Sequence, residues 1–232
     1  MRKKKVGAIA IKSFALLVVL GTAHQAMAQA ATTAYLKMAP IGQYLMNRTA
    51  EIALARSAAP QSISGNAEVL VLGRHGFETV VKGKSGFVCI VERSWTDAPE
   101  PDFWNPKVRT PICFNAAAAR SYLLRVIKTT DLVLAGRTKA QVDEDIVAAV
   151  DKKELPAMEP GAMCYMMSKQ GYGGDSIKHW PPHLMFYFSQ TDPATWGANL
   201  PGSPIVASSD AREHLTEFVV AVQRWSDGTE YH

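Results

Sequence analysis

The side chains best suited to chemistry are concentrated between Lys169 and His183, a polar stretch that contains Asp175, His179 and His183. Imidazole and carboxylate together can supply a general base and a general acid. One expectation is therefore a hydrolase that uses His183 or His179 with a nearby acid or thiol, Asp175 being the carboxylate at hand. A metal site is a second use of paired histidines. Two His four residues apart share a face only on a helix, and Pro181-Pro182 between them forbids one. A loop would have to converge them with His75 or His214, and no spacing fixes that, so no metal and no cofactor is expected. Around the same segment stand large rings: Trp95, Phe103 and Trp104 in one proline-rich loop, Tyr172 and Trp180 in a second, Trp196 in a third. Long irregular loops in a compact domain are often functional. Clustered, Trp95, Trp104, Tyr172, Trp180 and Trp196 would form an aromatic groove, with Asp175, Lys178 and His179 as polar handles. Such a groove could stack on a sugar or grip a peptide. The competing reading is that these rings cover the second face of a sheet, since Trp is mostly buried.

Other motifs point less far. Arg74-His75-Gly76 resembles the R-H-G signature of histidine phosphatases, in which His accepts the phosphoryl group. However, Gly73 precedes it, an alternating strand-like run follows, and no partner motif appears later. A hairpin tip is the better reading. Gly83-Lys84-Ser85 matches only the end of a phosphate-binding loop, because Glu78 stands where the first glycine belongs. Cys89 faintly resembles the nucleophile of cell-wall peptidases, yet Ser85-Gly86 precedes it and its apolar run reads as a buried strand, where a thiol is inert. No G-x-S-x-G, S-x-x-K or H-E-x-x-H occurs.

The amino-terminal 28 residues read as a secretory signal peptide. Met1 to Lys5 is basic, Phe14 to Leu20 is apolar, and Ala26-Met27-Ala28 is an A-x-A cleavage signal. The apolar run is shorter than the roughly 20 residues of a membrane span. This segment holds Arg2, Lys3, Lys4, Lys5 and Lys12 and no acid. Of the chain's 25 Lys and Arg and 21 Asp and Glu, the remainder therefore carries 20 and 21, a net charge of −1. The basic balance belongs to the leader, and neither nucleic acid nor a membrane surface is an expected partner. A periplasmic or secreted location follows, with an envelope ligand or protein as partner and no membrane span after cleavage. That compartment permits disulfides. Cys89 with Cys113 closes the shortest loop and leaves Cys164 free; three reduced, buried cysteines are the alternative. The phrases G-F-V-C-I-V-E-R-S-W, G-A-M-C-Y-M-M-S-K-Q-G-Y and W-G-A-N-L-P-G-S-P resemble those of uncharacterised exported bacterial proteins. The resemblance implies no activity, cofactor or site.

The elements that must position these residues read as one α+β domain over 29–232: a mainly antiparallel sheet with helices packed on one face. A helix is expected from Pro40 to Arg56. Val69–Leu72, Phe77–Val81 and Phe87–Val91, separated by tight turns, predict an antiparallel meander. Four prolines predict an irregular loop over 94–112. Asn115 can cap a helix running towards Leu134 with Gly136 as its stop, and Thr138 to Gln141 is a capping box that opens another. Ala162–Ser168 and His183–Phe188 read as strands. Residues 215–225 fit helix or strand; the β-branched run and the Ser226-Asp227-Gly228 turn favour strand. The expected function is an exported soluble binding or accessory protein with its ligand at the aromatic loops, the hydrolase being the alternative.

Overall fold

The computed structural model describes residues 35–98 and 101–232. The signal-peptide expectation falls outside them. Eight strands form one sheet, which bears out the α+β reading; across the sheet they lie in the order β2 (Gly76–Val81), β1 (Glu68–Gly73), β3 (Val88–Glu92), β4 (Thr110–Phe114), β5 (Met163–Met166), β6 (His183–Ser189), β8 (Leu215–Ala221) and β7 (Ile205–Asp210). Among the described residues no helix is long and apolar enough to cross a membrane.

The first helix, α1 (Arg48–Arg56), starts later than its periodicity suggests. Pro40 opens a 3-10 turn, Ile41–Gln43, instead. Asn47 then caps α1, its side chain accepting from the N–H groups of Thr49 and Ala50. Met38, Ile41 and Leu45 still face the core, but from a bent segment around the buried Tyr44.

Strands β1 (Glu68–Gly73) and β2 (Gly76–Val81) form a hairpin around Arg74 and His75. The expected meander does not continue. β3 (Val88–Glu92) pairs with β1, and in parallel: Glu68 faces Val88 and Val69 faces Cys89. The reason lies in burial. Both β1 and β3 are apolar on both faces, whereas β2 exposes Glu78 and Thr79, so the two buried strands join and β2 is left at the edge.

The proline-rich stretch contains more order than expected. It holds a short helix, Ser94–Asp97, a 3-10 turn, Asp102–Trp104, and the start of a central strand, β4 (Thr110–Phe114). β4 runs antiparallel to β3, with Cys89 opposite Cys113. Their Cα atoms are 4.0 Å apart, the narrow, non-hydrogen-bonded kind of cross-strand pair. Two residues away, Pro111 occupies the same kind of position, so its missing N–H is not needed by β3. On the other side β5 pairs only with Cys113 and Phe114. A proline is tolerated there.

Asn115 caps only one turn, Ala116–Ala119. Ser121 leaves helical geometry, and α2 (Tyr122–Leu134) begins afresh after it, ending before Gly136. α3 (Lys139–Asp151) opens on the Thr138–Gln141 capping box. β5 (Met163–Met166) and β6 (His183–Ser189) follow. β7 (Ile205–Asp210) is an edge strand absent from the sequence reading, and β8 (Leu215–Ala221) confirms strand over helix.

Helix α2 covers one face of the sheet, where Leu123 and Val126 meet Ile90, Ile112 and Phe114. α3 extends that layer towards Leu72 with Val142 and Ile146. Helices are not confined to one face as expected: the shorter α1 covers the opposite one, Leu54, Ala55 and Ala58 packing on Val69, Cys89, Val91 and Cys113, because β1, β3 and β4 are apolar on both faces. Below α1 lies a fully buried ion pair. Arg93 donates to a carboxylate oxygen of Glu51 at 2.8 Å and to the carbonyls of Tyr44 and Val91, and the same Glu51 oxygen accepts the N–H of Leu72.

Candidate functional site

The residues singled out by sequence occupy several separate places. Asp175 ties the chain's segments together. It accepts from Tyr35 Oη at 2.6 Å and from Tyr172 Oη, with Lys107 at 3.7 Å. Those donors hold its carboxyl below the usual range, and the same bond pushes the Tyr172 phenol up to about 12. His179 is exposed and meets Tyr172 edge-on at 6.4 Å. His183 is buried at the start of β6, its Nδ1 2.7 Å from the Pro181 carbonyl, with the Trp180 ring 6.0 Å away. A carbonyl only accepts, so Nδ1 carries the proton.

The five rings of the expected groove are likewise divided. Tyr172 and Trp180 line a small pocket of about 20 Å³. Trp104 lines a cavity of about 550 Å³ together with Arg137 and Lys139. Both cations are already paired, Arg137 with Asp145 and Lys139 with Asp143. Trp196 stacks on Phe218, centroids 4.6 Å apart. Trp95 is in the core beside Tyr44, its indole N–H donating to Thr130 at 3.0 Å.

Trp95 does more than fill space, because its ring also lines a cleft that no sequence signal marked. The cleft lies between α2, α3 and the turn entering β8. It has two chambers that share a wall, Arg125 from α2 and Glu213 from the turn. The first chamber, about 250 Å³, is bounded by Trp95, Tyr122 and four carboxylates: Asp143, Asp210, Glu213 and Glu217. The second, about 460 Å³, has an apolar wall of Val150, Leu155, Pro156, Ala157 and Met158 and a polar rim of Lys153, Ser189, Gln190 and His214. The volume and the mixture of an apolar wall with a few convergent polar groups are those of small-molecule sites.

Local sequence explains how these groups arrive. Arg125 sits on the buried side of α2, next to Leu123 and Val126. Asp210 ends β7 and accepts the N–H groups of Arg212 and Glu213, turning the chain so that Glu213 points back at Arg125. Lys153, Gln190 and His214 all have positive φ (58°, 35° and 50°), unusual for residues with a Cβ. Lys153 is explained by its place just beyond the end of α3. Gln190 and His214 close the β6–β8 end, the Gln190 N–H bonding the His214 carbonyl and its side chain the imidazole, at 3.1 Å each.

The electrostatics are uneven. The Arg125 side chain is only 9% exposed; it donates through both terminal nitrogens to Glu213, but its buried Nε has no acceptor. Burial raises the Glu213 carboxyl above its ordinary range, Asp210 and Asp143 add to the effect, and Arg125 opposes it. Among the described residues no three His, Cys, Asp or Glu groups come together as a metal site.

Compared with known proteins, the chain matches no family model, no curated protein and no solved structure.

Proposed function

We propose that this protein is an exported small-molecule-binding protein whose ligand occupies the cleft on either side of Arg125 and Glu213. The observation that carries this reading is the pair of adjoining chambers, about 250 and 460 Å³, whose shared wall of Arg125 and Glu213 separates charged side chains from an apolar surface of Leu155, Pro156 and Met158. The export half of the reading is supported by the leader-like amino terminus and by Cys89 and Cys113 lying at disulfide distance.

The hydrolase alternative has less behind it. Both Asp175 oxygens are engaged by tyrosines, and burial pushes the Cys164 thiol far from any nucleophilic range.

A screen of envelope metabolites by native mass spectrometry tests the proposal. Any ligand found should lose roughly ten- to a hundredfold in affinity in Arg125→Gln, as for one charge-assisted hydrogen bond. Arg125→Lys keeps the charge opposite Glu213 and controls for folding. A ligand that binds both variants and the wild type equally overturns the assignment of the site.

A further inference from the structure

The two edges of the sheet are finished differently. β2 exposes Glu78 and runs out into the exposed Lys82, and charge on an edge strand discourages another strand from adding to it. β7 carries no charge from Ile205 to Ser209 and no proline, and its register with β8 has no bulge. Its Val206 side chain is 60% exposed. By composition, β7 is the edge that would accept a further strand.

What meets that edge is the chain itself. Alternate residues of an antiparallel strand turn their backbone groups away from the partner, and on β7 these are Ile205, Ala207 and Ser209. The Asn199 side-chain amide donates to the Ala207 carbonyl at 2.9 Å and accepts the Ala207 N–H at 3.0 Å. The Asn199 N–H donates to the Ile205 carbonyl at 3.0 Å, and Ser203 Oγ accepts the Ile205 N–H at 3.1 Å. An amide that gives one hydrogen bond to a residue and takes one from it does what a neighbouring strand does. Ser209 lies beyond its reach and has no such cover among the described residues. The W-G-A-N-L-P-G-S-P phrase builds this contact. Trp196 stacks on Phe218 and leans on Phe188 at 4.9 Å, and Ala198 is buried. Asn199 sits at φ 60°, a conformation that asparagine tolerates better than most residues. Pro201-Gly202 then turns the chain back into β7, Gly202 at φ 78° and the Ser203 N–H on the Leu200 carbonyl at 2.9 Å.

We propose that the loop of residues 193–204 is a strap that guards the sheet edge, with Asn199 standing where a further strand would pair, and that it keeps two copies of this chain from joining through β7. A second copy is the occupant this edge fits. Turned antiparallel about Ala207, two β7 strands set Ala207 opposite Ala207 and Ile205 opposite Ser209, each pair able to exchange N–H···O bonds. Val206 then faces Ser208, Asp210 faces Pro204, and no charge meets a like charge. Asn199 already holds both backbone groups of the central residue, so the strap and a second copy exclude each other.

Hydrogen exchange and sedimentation on the full chain test this. In the wild type, the Ala207 amide should exchange roughly five- to tenfold more slowly than the Ser209 amide, each relative to its free rate, as for one hydrogen bond kept closed. The protein should sediment as a single copy. Asn199 is exposed, so Asn199→Ala leaves the core untouched. That variant should form a pair of copies, in which the Ser209 amide gains protection. Adding Ala207→Pro should return it to a single copy, because proline removes the outward N–H of the central residue and leaves the bonds to β8 in place. Equal exchange at Ala207 and Ser209 in the wild type overturns the proposal without recourse to any variant. So does an Asn199→Ala chain, folded by circular dichroism, that stays single as its concentration is raised. A pair that survives Ala207→Pro lies on another surface and overturns it equally, as does a wild type whose own pairing is abolished by Ala207→Pro.

Discussion

At the level of single residues, the strongest commitment in the molecule is the Glu51–Arg93 pair. Both side chains are sealed, at 1% and 0% exposure. Burial pulls the Arg93 guanidinium down, and only the neighbouring Glu51 carboxylate and its hydrogen bond oppose that. Removing one partner leaves a buried charge unanswered. Glu51→Ala should cost about 3–5 kcal/mol in a urea denaturation, whereas Glu51→Leu with Arg93→Met should recover most of the loss, because exchanging a whole buried pair for apolar groups is often neutral. A Glu51→Ala chain as stable as wild type would show that the pair contributes nothing. The sequence did hold a sign of this pair. Glu51 falls on the same helical stripe as Leu54, Ala55 and Ala58, so a carboxylate stands at a core position. Arg125 carried a weaker sign, since an arginine on an amphipathic helix is ordinarily solvated and its partner Glu213 is 88 residues away. A contact that distant leaves no periodic trace, so the cleft could not be read before the fold was known.

At the level of elements, local chemistry was legible and pairing was not. The caps at Asn115 and Thr138, the hairpin at Arg74-His75 and the strand nature of residues 215–221 all follow from neighbours a few residues apart. The parallel union of β1 with β3 and the proline-bearing strand β4 depend on which strands end up buried, and that is a property of the sheet. The 171–180 loop shows how such irregular structure is held. Asp102 is buried beneath it and accepts the N–H and hydroxyl of Ser176 and the amide of Asn105. Burial alone would raise the Asp102 carboxyl, but these donors prevail and hold it below its ordinary value of 3.8. A depressed acid contributes stability above its unfolded value, lost as the pH falls below 3.8 through the folded value. In Asp102→Asn, the part of acid unfolding that sets in below about pH 4 should shrink, and stability at pH 7 should drop. Trp180 fluorescence against pH, on both proteins, reads this; identical acid limbs would remove Asp102 from the account. Gly174 supports the same contact. Its φ is 116°, and an added Cβ would lie 2.7 Å from the Asp102 carboxylate. Gly174→Ala should therefore destabilise by at least about 1 kcal/mol, from the strained φ alone. A thermal melt unchanged from wild type would mean the loop can yield without cost.

For the whole molecule, the fold class and the cysteine pairing were both within reach of sequence, and they bear on each other. Cys89 and Cys113 lie on neighbouring central strands and are sealed under α1, with Cys113 Sγ 3.7 Å from the Ala55 carbonyl. A bridge there joins the strand that receives the parallel crossover to the strand that leads into the helical layer. It spans 24 residues of sequence. Closing a loop of that size lowers the entropy of the unfolded chain and should add about 3–4 kcal/mol to stability. Because both cysteines are fully buried, a reductant can reach the bond only when the sheet opens, so reduction should follow unfolding and not precede it. Protein purified from the envelope should have an intact mass about two units below the reduced value. Incubated with dithiothreitol under native conditions it should keep that mass for as long as it stays folded; in urea it should lose the bridge at once and refold with a lower midpoint. Cys164 should remain a reduced thiol throughout, since it lies on the other face of the sheet beside Tyr187, 3.1 Å away. Rapid reduction of the native protein would mean that the sheet opens readily at β3 and β4, and that α1 is a cover which moves. Full reduction on isolation would place the chain in a reducing compartment and withdraw the export half of the proposal, while the cleft would be left to its own tests.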